Sequence, residues 1–217
     1  MRVVTPSETA VRRRAPKQAR SRERVEKILD VAARIVVERG VDAMTTRSVA
    51  GEAGVPVASL YQYFSDRDAV LLALVERDIA EMDEQVRADL VKVRTLSIAA
   101  IVETTMRAYM TVYARRPEFV AIWLRGRTNA AIHEFGRGHN RRTAHDLREF
   151  AVSTALARPD LPLAAAELAV EMGDRVFQLA YETDNRGDKF IVGEGIQIVT
   201  AYLQRYATDA GIEGLSL

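Results

Sequence analysis

Tyr61, Gln62 and Tyr63 put two phenolic hydroxyls and a primary amide on consecutive residues, and Phe64 follows at once. None of these groups is a ready nucleophile, and no acid–base partner stands beside them. Their chemistry is hydrogen bonding, and a glutamine amide can donate and accept at once. Leu60 and Phe64 sit four apart, so on a helix they share one face, which we assign inward. Val57, Ser59, Tyr61, Gln62 and Tyr63 are then left to the outer faces. Such a surface suits a partner that is polar and anionic at its rim, as DNA is.

The flanking elements have to hold that surface out. Val25, Ile28, Leu29, Ala32, Ile35 and Val36 recur at three- and four-residue steps, which predicts a helix from Ser21 that stops at Gly40. Thr45 or Thr46 can cap a second, brief helix. Gly54 can take a left-handed turn, Ala50 is small enough for close helix approach, and Val55 fills the space between the helices. Val55-Pro56 opens a third helix, Pro56 to Phe64, with proline tolerated at its start. Ser65-x-x-Asp68 reads as a capping box, with Asp for the usual Glu, ahead of a longer helix. Two short helices joined by a tight turn behind a longer one describe a helix-turn-helix.

From about Ser21 to Leu74 the chain resembles the DNA-binding domain of the TetR family of bacterial transcriptional regulators. The residues that carry the likeness are the Ile28-to-Gly40 helix, Thr45-Thr46-Arg47-x-Val49-Ala50, Ala53-Gly54-Val55, Leu60-Tyr61-x-Tyr63-Phe64, Ser65-Asp66-Arg67 and Ala69-Val70-Leu71-Leu72. Pro56 stands where the family often has serine or threonine, and Ala58 where it often has glycine. The resemblance implies that Thr46 and Arg47 sit near phosphates. It implies that Val57, Ala58, Ser59, Tyr61, Gln62 and Tyr63 line the recognition surface, and that Arg67 meets the DNA backbone. On those positions Gln62 can pair with adenine, Arg47 with guanine, and Val57 or Ala58 can touch a thymine methyl. The tyrosines and Ser59 can donate to phosphates, which positions without reading sequence.

Net charge is +1, but it is unevenly spread: residues 1–70 carry thirteen Lys/Arg against nine Asp/Glu. Much of the excess is Arg12, Arg13, Arg14, Lys17, Arg20, Arg22 and Arg24, a basic arm of the kind that accompanies nucleic-acid binding. Residues 1–20 read as a disordered basic arm, residues 21–68 as the helix-turn-helix domain, and residues 69–217 as a helical ligand-binding and dimerisation domain. The arm either tracks DNA or is plain solvated tail. Apolar residues make up 48% and charged residues 28%, a globular balance. The chain has no cysteine, which removes thiolate and disulfide chemistry and fits a cytoplasmic location. No leader pattern or membrane-length apolar run is visible, so no membrane partner is expected.

Beyond residue 90 the pattern is helical throughout. Ile98–Ala114 ends at Arg115-Arg116-Pro117. A short helix runs from Glu118 to about Arg127. Ala130–Ala157 is long and can break near Gly136-Arg137-Gly138. Leu163–Thr183 and Lys189–Thr208 follow. By resemblance this region binds a small effector and dimerises, the last two helices forming a four-helix interface. Candidate interface residues are Leu168, Met172, Val176, Leu179, Ile196, Val199, Thr200 and Leu203, with burial inside the monomer as the alternative. Met106, Tyr109, Met110, Tyr113, Phe119, Trp123, Phe135, Phe150, Phe177 and Tyr181 are the stock for a pocket, or for ordinary core. Trp123, the only tryptophan, is the first choice for a wall.

His133, His139 and His145 are six apart, a rotation of about 240° on a helix, so they share no face and make no metal site. Gly136-x-Gly138 lacks a strand before it and a third glycine. No catalytic motif is present, and no cofactor is expected. The expectation is an all-α chain, with an N-terminal three-helix helix-turn-helix domain and a larger helical domain. It acts as a homodimeric repressor on a palindromic double-stranded DNA operator and is released by a small apolar or amphipathic effector. The alternatives are a helical small-molecule-binding protein without DNA-binding activity and an enzyme on the same scaffold.

Overall fold

The apolar repeat that starts at Val25 lies inside one long helix, α1 (Thr9–Arg39), in a computed structural model. It describes the backbone of residues 9–126 and 130–216 and the side chains of residues 20–126 and 130–215. The helix begins earlier than Ser21. Residues 9–20, expected as part of a disordered arm, are helical in backbone, because Ala, Arg, Lys and Gln fill most of the segment and are strong helix formers. Residues 1–8 lie outside the described residues. Two compact units divide the chain, residues 1–70 and 71–217.

In the first unit α1 ends at Gly40, whose amide donates to the Val36 carbonyl. A single 3₁₀ turn, Val41–Ala43, leads to α2 (Thr46–Ala53). Thr45 is the cap. Its hydroxyl accepts from the Ser48 amide, and Ser48 Oγ accepts from the Thr45 amide, a reciprocal box that satisfies two exposed donors. Gly54 closes α2 at φ 64°, ψ 34°, left-handed as expected. Next comes α3 (Val57–Leu60), shorter than the span read from sequence. From Tyr61 to Phe64 the bonding tightens: the Tyr63 amide donates to the Leu60 carbonyl three residues back, at 2.9 Å. This keeps the helical course while ending regular α-helix. The core of the unit is Ile28, Leu29, Ala32, Ile35, Val36, Met44, Val49, Ala50, Ala53, Leu60, Phe64 and Val70, all buried.

The helix α4 (Arg67–Leu90) starts in the first unit and its later turns belong to the second. Its cap differs from the expected Ser65. Asp66 Oδ1 accepts from the Ala69 amide at 2.8 Å, and Ser65 Oγ donates to Asp66 Oδ2 at 3.0 Å. A carboxylate competes better than a hydroxyl for helix N-terminal amides. The Ala69 amide, and then the Ser65 hydroxyl, hold the Asp66 acid below its ordinary range.

In the second unit follow α5 (Ile98–Arg115), capped by Ser97, and α6 (Pro117–Phe119). A π turn, Val120–Leu124, follows, and then come α7 (Ala130–Ser153), α8 (Leu163–Ala180) and α9 (Lys189–Gln204). The expected break at Gly136 does not occur; α7 runs through it. The last helical segment ends at Gln204 rather than near Thr208. Thr208 instead caps a separate helix, α10 (Asp209–Glu213), and ties it back by donating to the Ala155 carbonyl at 2.6 Å. A two-residue antiparallel pairing joins β1 (Thr95–Leu96) to β2 (Leu215–Ser216), a feature too short for any periodicity to reveal. The helix α8 packs on α7 and α9, and α5 on α9. Among the described residues no helix is long and apolar enough to cross a membrane.

Candidate nucleic-acid interface and ligand cavity

The first unit presents Tyr61, Gln62, Val57 and Ala58 outward, with Tyr61 52% and Val57 37% exposed. Ser59 and Tyr63 are half-buried, and Arg47 is exposed on α2. The surface is held rather than loose. Tyr61 Oη lies 3.3 Å from Thr46 Oγ1, a hydrogen bond between the two helical segments. Tyr63 Oη lies 3.5 Å from Ser21 Oγ on α1, at the limit of a hydrogen bond. Underneath, Leu60 and Phe64 are buried as the four-residue spacing requires.

Two ionic clamps fix the helices that carry this surface. Glu52 on α2 is gripped by Arg39 and by Arg34, the latter at 2.8 Å, both from α1. The Arg39 hydrogen bond, then Arg34, holds the Glu52 acid low. Arg67, expected at the DNA backbone, is engaged within its own unit. Its Nε donates to the Met44 carbonyl at 2.8 Å, one of its terminal nitrogens donates to the Val41 carbonyl at 2.7 Å, and Asp42 lies 3.7 Å away. The role this geometry supports is to close the 3₁₀ turn against the start of α4. No pattern along the chain could have revealed it, since the acceptors are backbone groups more than twenty residues earlier.

The second unit contains a cavity of about 120 Å³ between α5, α7, α8 and α9. A buried water needs roughly 10–15 Å³ by the same kind of measure, so this space holds several. Of the expected pocket residues, Met106, Tyr109 and Phe177 line it. Tyr113, Phe119 and Tyr181 are buried behind, in one aromatic cluster: Tyr113 stacks on Phe119 at 5.6 Å and meets Phe177 and Tyr181 edge-on at 5.2 Å each. Met110 does not reach the cavity wall, and Phe150 is 38% exposed and also off it. Phe135, half-buried, is not on the wall either. Trp123 is not a wall residue. Its ring covers Gly136 on α7, where a Cβ would come within 1.7 Å of the indole Cη2. That contact is why a glycine is needed in an unbroken helix.

Trp123 acts on the cavity through another residue. Its Nε1 donates at 3.1 Å to Oδ1 of Asp174, which does line the cavity. Asp174 was not singled out from the sequence, although a signal existed: it sits four residues after Val170 and three before Phe177, on the apolar stripe of α8. Burial raises the Asp174 acid above its ordinary range, Trp123 opposes this, and Glu171 adds to it. Thr105, Asn140 and Thr143 are the other small polar groups on the wall, and the Thr105 hydroxyl is buried without a hydrogen-bond partner. Burial, then Asp83 and Asp174, pushes the Tyr109 phenol up, so it is a neutral group.

His139 lies buried on α7, 3.9 Å from Asp83, while His145 is exposed beside Asp146 and Glu149. Burial lowers the His139 acid and raises that of Asp83. No cluster among the described residues has the makings of a metal site.

The expected interface residues divide by face. Leu168 and Leu179 are exposed, at 49% and 43%, and Met172 is half-buried. Ile196, Val199 and Thr200 are buried within the unit, and Leu203 lines the cavity. Val176 meets Gly195, where a Cβ would come within 2.4 Å of Val176 Cγ1, so it packs α8 on α9. The exposed apolar residues missed on α9 are Phe190 and Ile198, the latter one position from buried Val199 and turned about 100° from it around the helix.

Comparisons with known proteins match both units. The model of the bacterial regulatory proteins of the tetR family matches residues 28–74, and that of the tetracyclin repressor-like C-terminal domain matches residues 97–203. The HTH-type transcriptional regulator PksA of Bacillus subtilis (strain 168) is 33% identical over 88 residues, which span 38% of this chain and 43% of that regulator. A TetR-family transcriptional regulator from Streptomyces coelicolor has a solved structure similar to this one, with TM-score 0.69 and 29% identity, covering 84% of this chain and 99% of its own. Another from Pectobacterium atrosepticum, 21% identical, shares the fold with TM-score 0.68 over 88% of this chain and 97% of its own.

Proposed function

This chain belongs to the TetR family of transcriptional regulators, and from that premise we propose that it is a homodimeric repressor released from a palindromic operator by a small apolar or amphipathic molecule. The observation that carries the DNA reading is the outward row Val57, Ala58, Tyr61 and Gln62, pinned at Tyr61 by Thr46. Gln62 reads a base, Arg47 reads a base or holds a phosphate, and Thr46, Ser59, Tyr61 and Tyr63 hold phosphates. Arg67 braces the surface from behind.

Dimerisation uses the outward apolar residues Leu168, Leu179 and Ile198 with Met172 at their edge. A two-fold dimer lets two recognition segments enter successive major grooves, about 34–36 Å apart. The effector occupies the cavity of the second unit. It weakens DNA binding by as much as it prefers a dimer whose recognition segments are differently spaced. Because α4 has residues in both units, it is the element through which that preference acts.

The test is capture of fragmented genomic DNA by the purified protein at physiological salt, followed by sequencing. An enriched inverted repeat supports the repressor reading. A folded dimer that enriches nothing refutes it for the effector-free protein.

A further inference from the structure

Asp174 is a carboxylate on the wall of a mostly apolar cavity, and the groups that hold it are neutral. Trp123 Nε1 donates to Oδ1 at 3.1 Å and Gln178 Nε2 donates to Oδ2 at 2.9 Å. Among the described residues no cation lies within ion-pair distance of it. A buried carboxylate is costly unless a positive charge balances it. Arg175, the next residue on α8, offsets the charge without forming an ion pair and donates to Gln178 Oε1 at 2.9 Å, while Glu171 opposes it. Glu171, on the preceding turn of α8, accepts from the wall residue Asn140 at 3.1 Å, and Asp83 adds negative charge near Tyr109.

The rings beside this carboxylate complete the pattern. Tyr109 and Phe177 both line the cavity, with centroids 5.9 Å apart and planes tilted by 30°. Aromatic faces attract organic cations, and more strongly once water is excluded. Among the described residues that line the cavity Arg148 is the one cation. Its Nε is used on the Leu161 carbonyl at 2.7 Å, where it secures the turn before α8.

We propose that the effector is an apolar amine, its ammonium group held by Asp174 against the Tyr109 and Phe177 rings and its hydrocarbon body among Ile101, Met106 and Leu147. This rests on the reading of the cavity as the effector site. Trp123 is then a positioning residue, which holds the carboxylate toward the cation without touching the ligand. The unpartnered Thr105 hydroxyl is a second polar group on the same wall.

The experiment uses the full chain and three probes of one shape: 4-phenylbutylamine, 4-phenylbutanol and 4-phenylbutyric acid. Affinity is measured by calorimetry near neutral pH. The amine is expected to bind at least tenfold tighter than the alcohol, and the acid weakest. Asp174→Asn should abolish the preference for the amine and leave the alcohol unchanged. Trp123→Phe, which keeps an aromatic ring over Gly136, should reduce the preference without removing it. Equal affinity for amine and alcohol, tightest binding of the acid, no binding of any probe, or an unchanged preference in Asp174→Asn would each overturn the proposal. Release of captured operator DNA is read separately. Amine binding without release leaves the ligand class standing and refutes effector release.

Discussion

The hydroxyl of Tyr61 lies 3.3 Å from that of Thr46, so the two helical segments of the candidate DNA interface are joined at their outer edge. A side chain held this way loses less freedom on binding than a free one. Tyr61→Phe should weaken binding to all DNA sequences by roughly the same factor, about 1 kcal/mol for one lost hydrogen bond. Gln62→Ala should instead relax specificity at one base-pair position, costing about 1–3 kcal/mol there. Binding titrations against a set of single-position operator variants separate the two. A uniform loss for Gln62→Ala would refute base reading by that residue.

Gly54 is left-handed, and a Cβ placed on it would meet nothing within 4 Å. The penalty of a side chain there is therefore purely one of backbone conformation. Gly54→Ala should cost about 1–2 kcal/mol of stability, measured by chemical denaturation. A neutral result would mean that α2 can end in another conformation.

Gly136 poses the opposite case, because its backbone is ordinary helix and its space is filled by the Trp123 ring. Gly136→Ala should destabilise by about 1–3 kcal/mol through overpacking. It should also shift the fluorescence of the single tryptophan, since the indole has to move. Unchanged emission would contradict the packing described.

Asp78 on α4 is fully buried, with Glu118 nearby and with Arg77 Nε at 3.4 Å and Arg116 Nε at 3.8 Å. Burial first, and Glu118 second, raise its acid to about 7 against the partial opposition of the two arginines. The folded state thus holds a proton that the unfolded state gives up near the ordinary carboxylate range. Its contribution to stability is full at acid pH, falls as pH rises through that range toward 7, and levels off above. Asp78→Asn should flatten this decline and raise stability at pH 8 relative to the parent, by roughly a few kcal/mol. Denaturation midpoints of both proteins from pH 5 to 8 give the comparison. Parallel curves would show that Asp78 ionises as freely folded as unfolded.

Leu168, Leu179 and Ile198 are exposed apolar residues on the last two long helices. Ile198→Glu should convert the proposed dimer to monomer with unchanged helicity, read by sedimentation and circular dichroism. Val199→Glu, one residue away and buried, should instead unfold the second unit. A monomeric parent protein would refute the interface.

What the sequence by itself determined are features that depend on neighbours a few residues apart. The three- and four-residue apolar spacing of α1, the left-handed Gly54, the threonine cap of α2 and the inward pair Leu60 and Phe64 all follow from such local rules, and the family resemblance rests on them. Only the tertiary structure decided which side of a helix meets what. Ile198 and Val199 are equally apolar, yet one faces out and the other in. Tyr109 and Tyr113 share a helix face, yet one lines the cavity and the other lies in the cluster behind it. Trp123 and Asp174 are joined across 51 residues, and Arg67 reaches carbonyls more than twenty residues away. Those contacts depend on helix crossing geometry, which no periodicity within a single helix encodes.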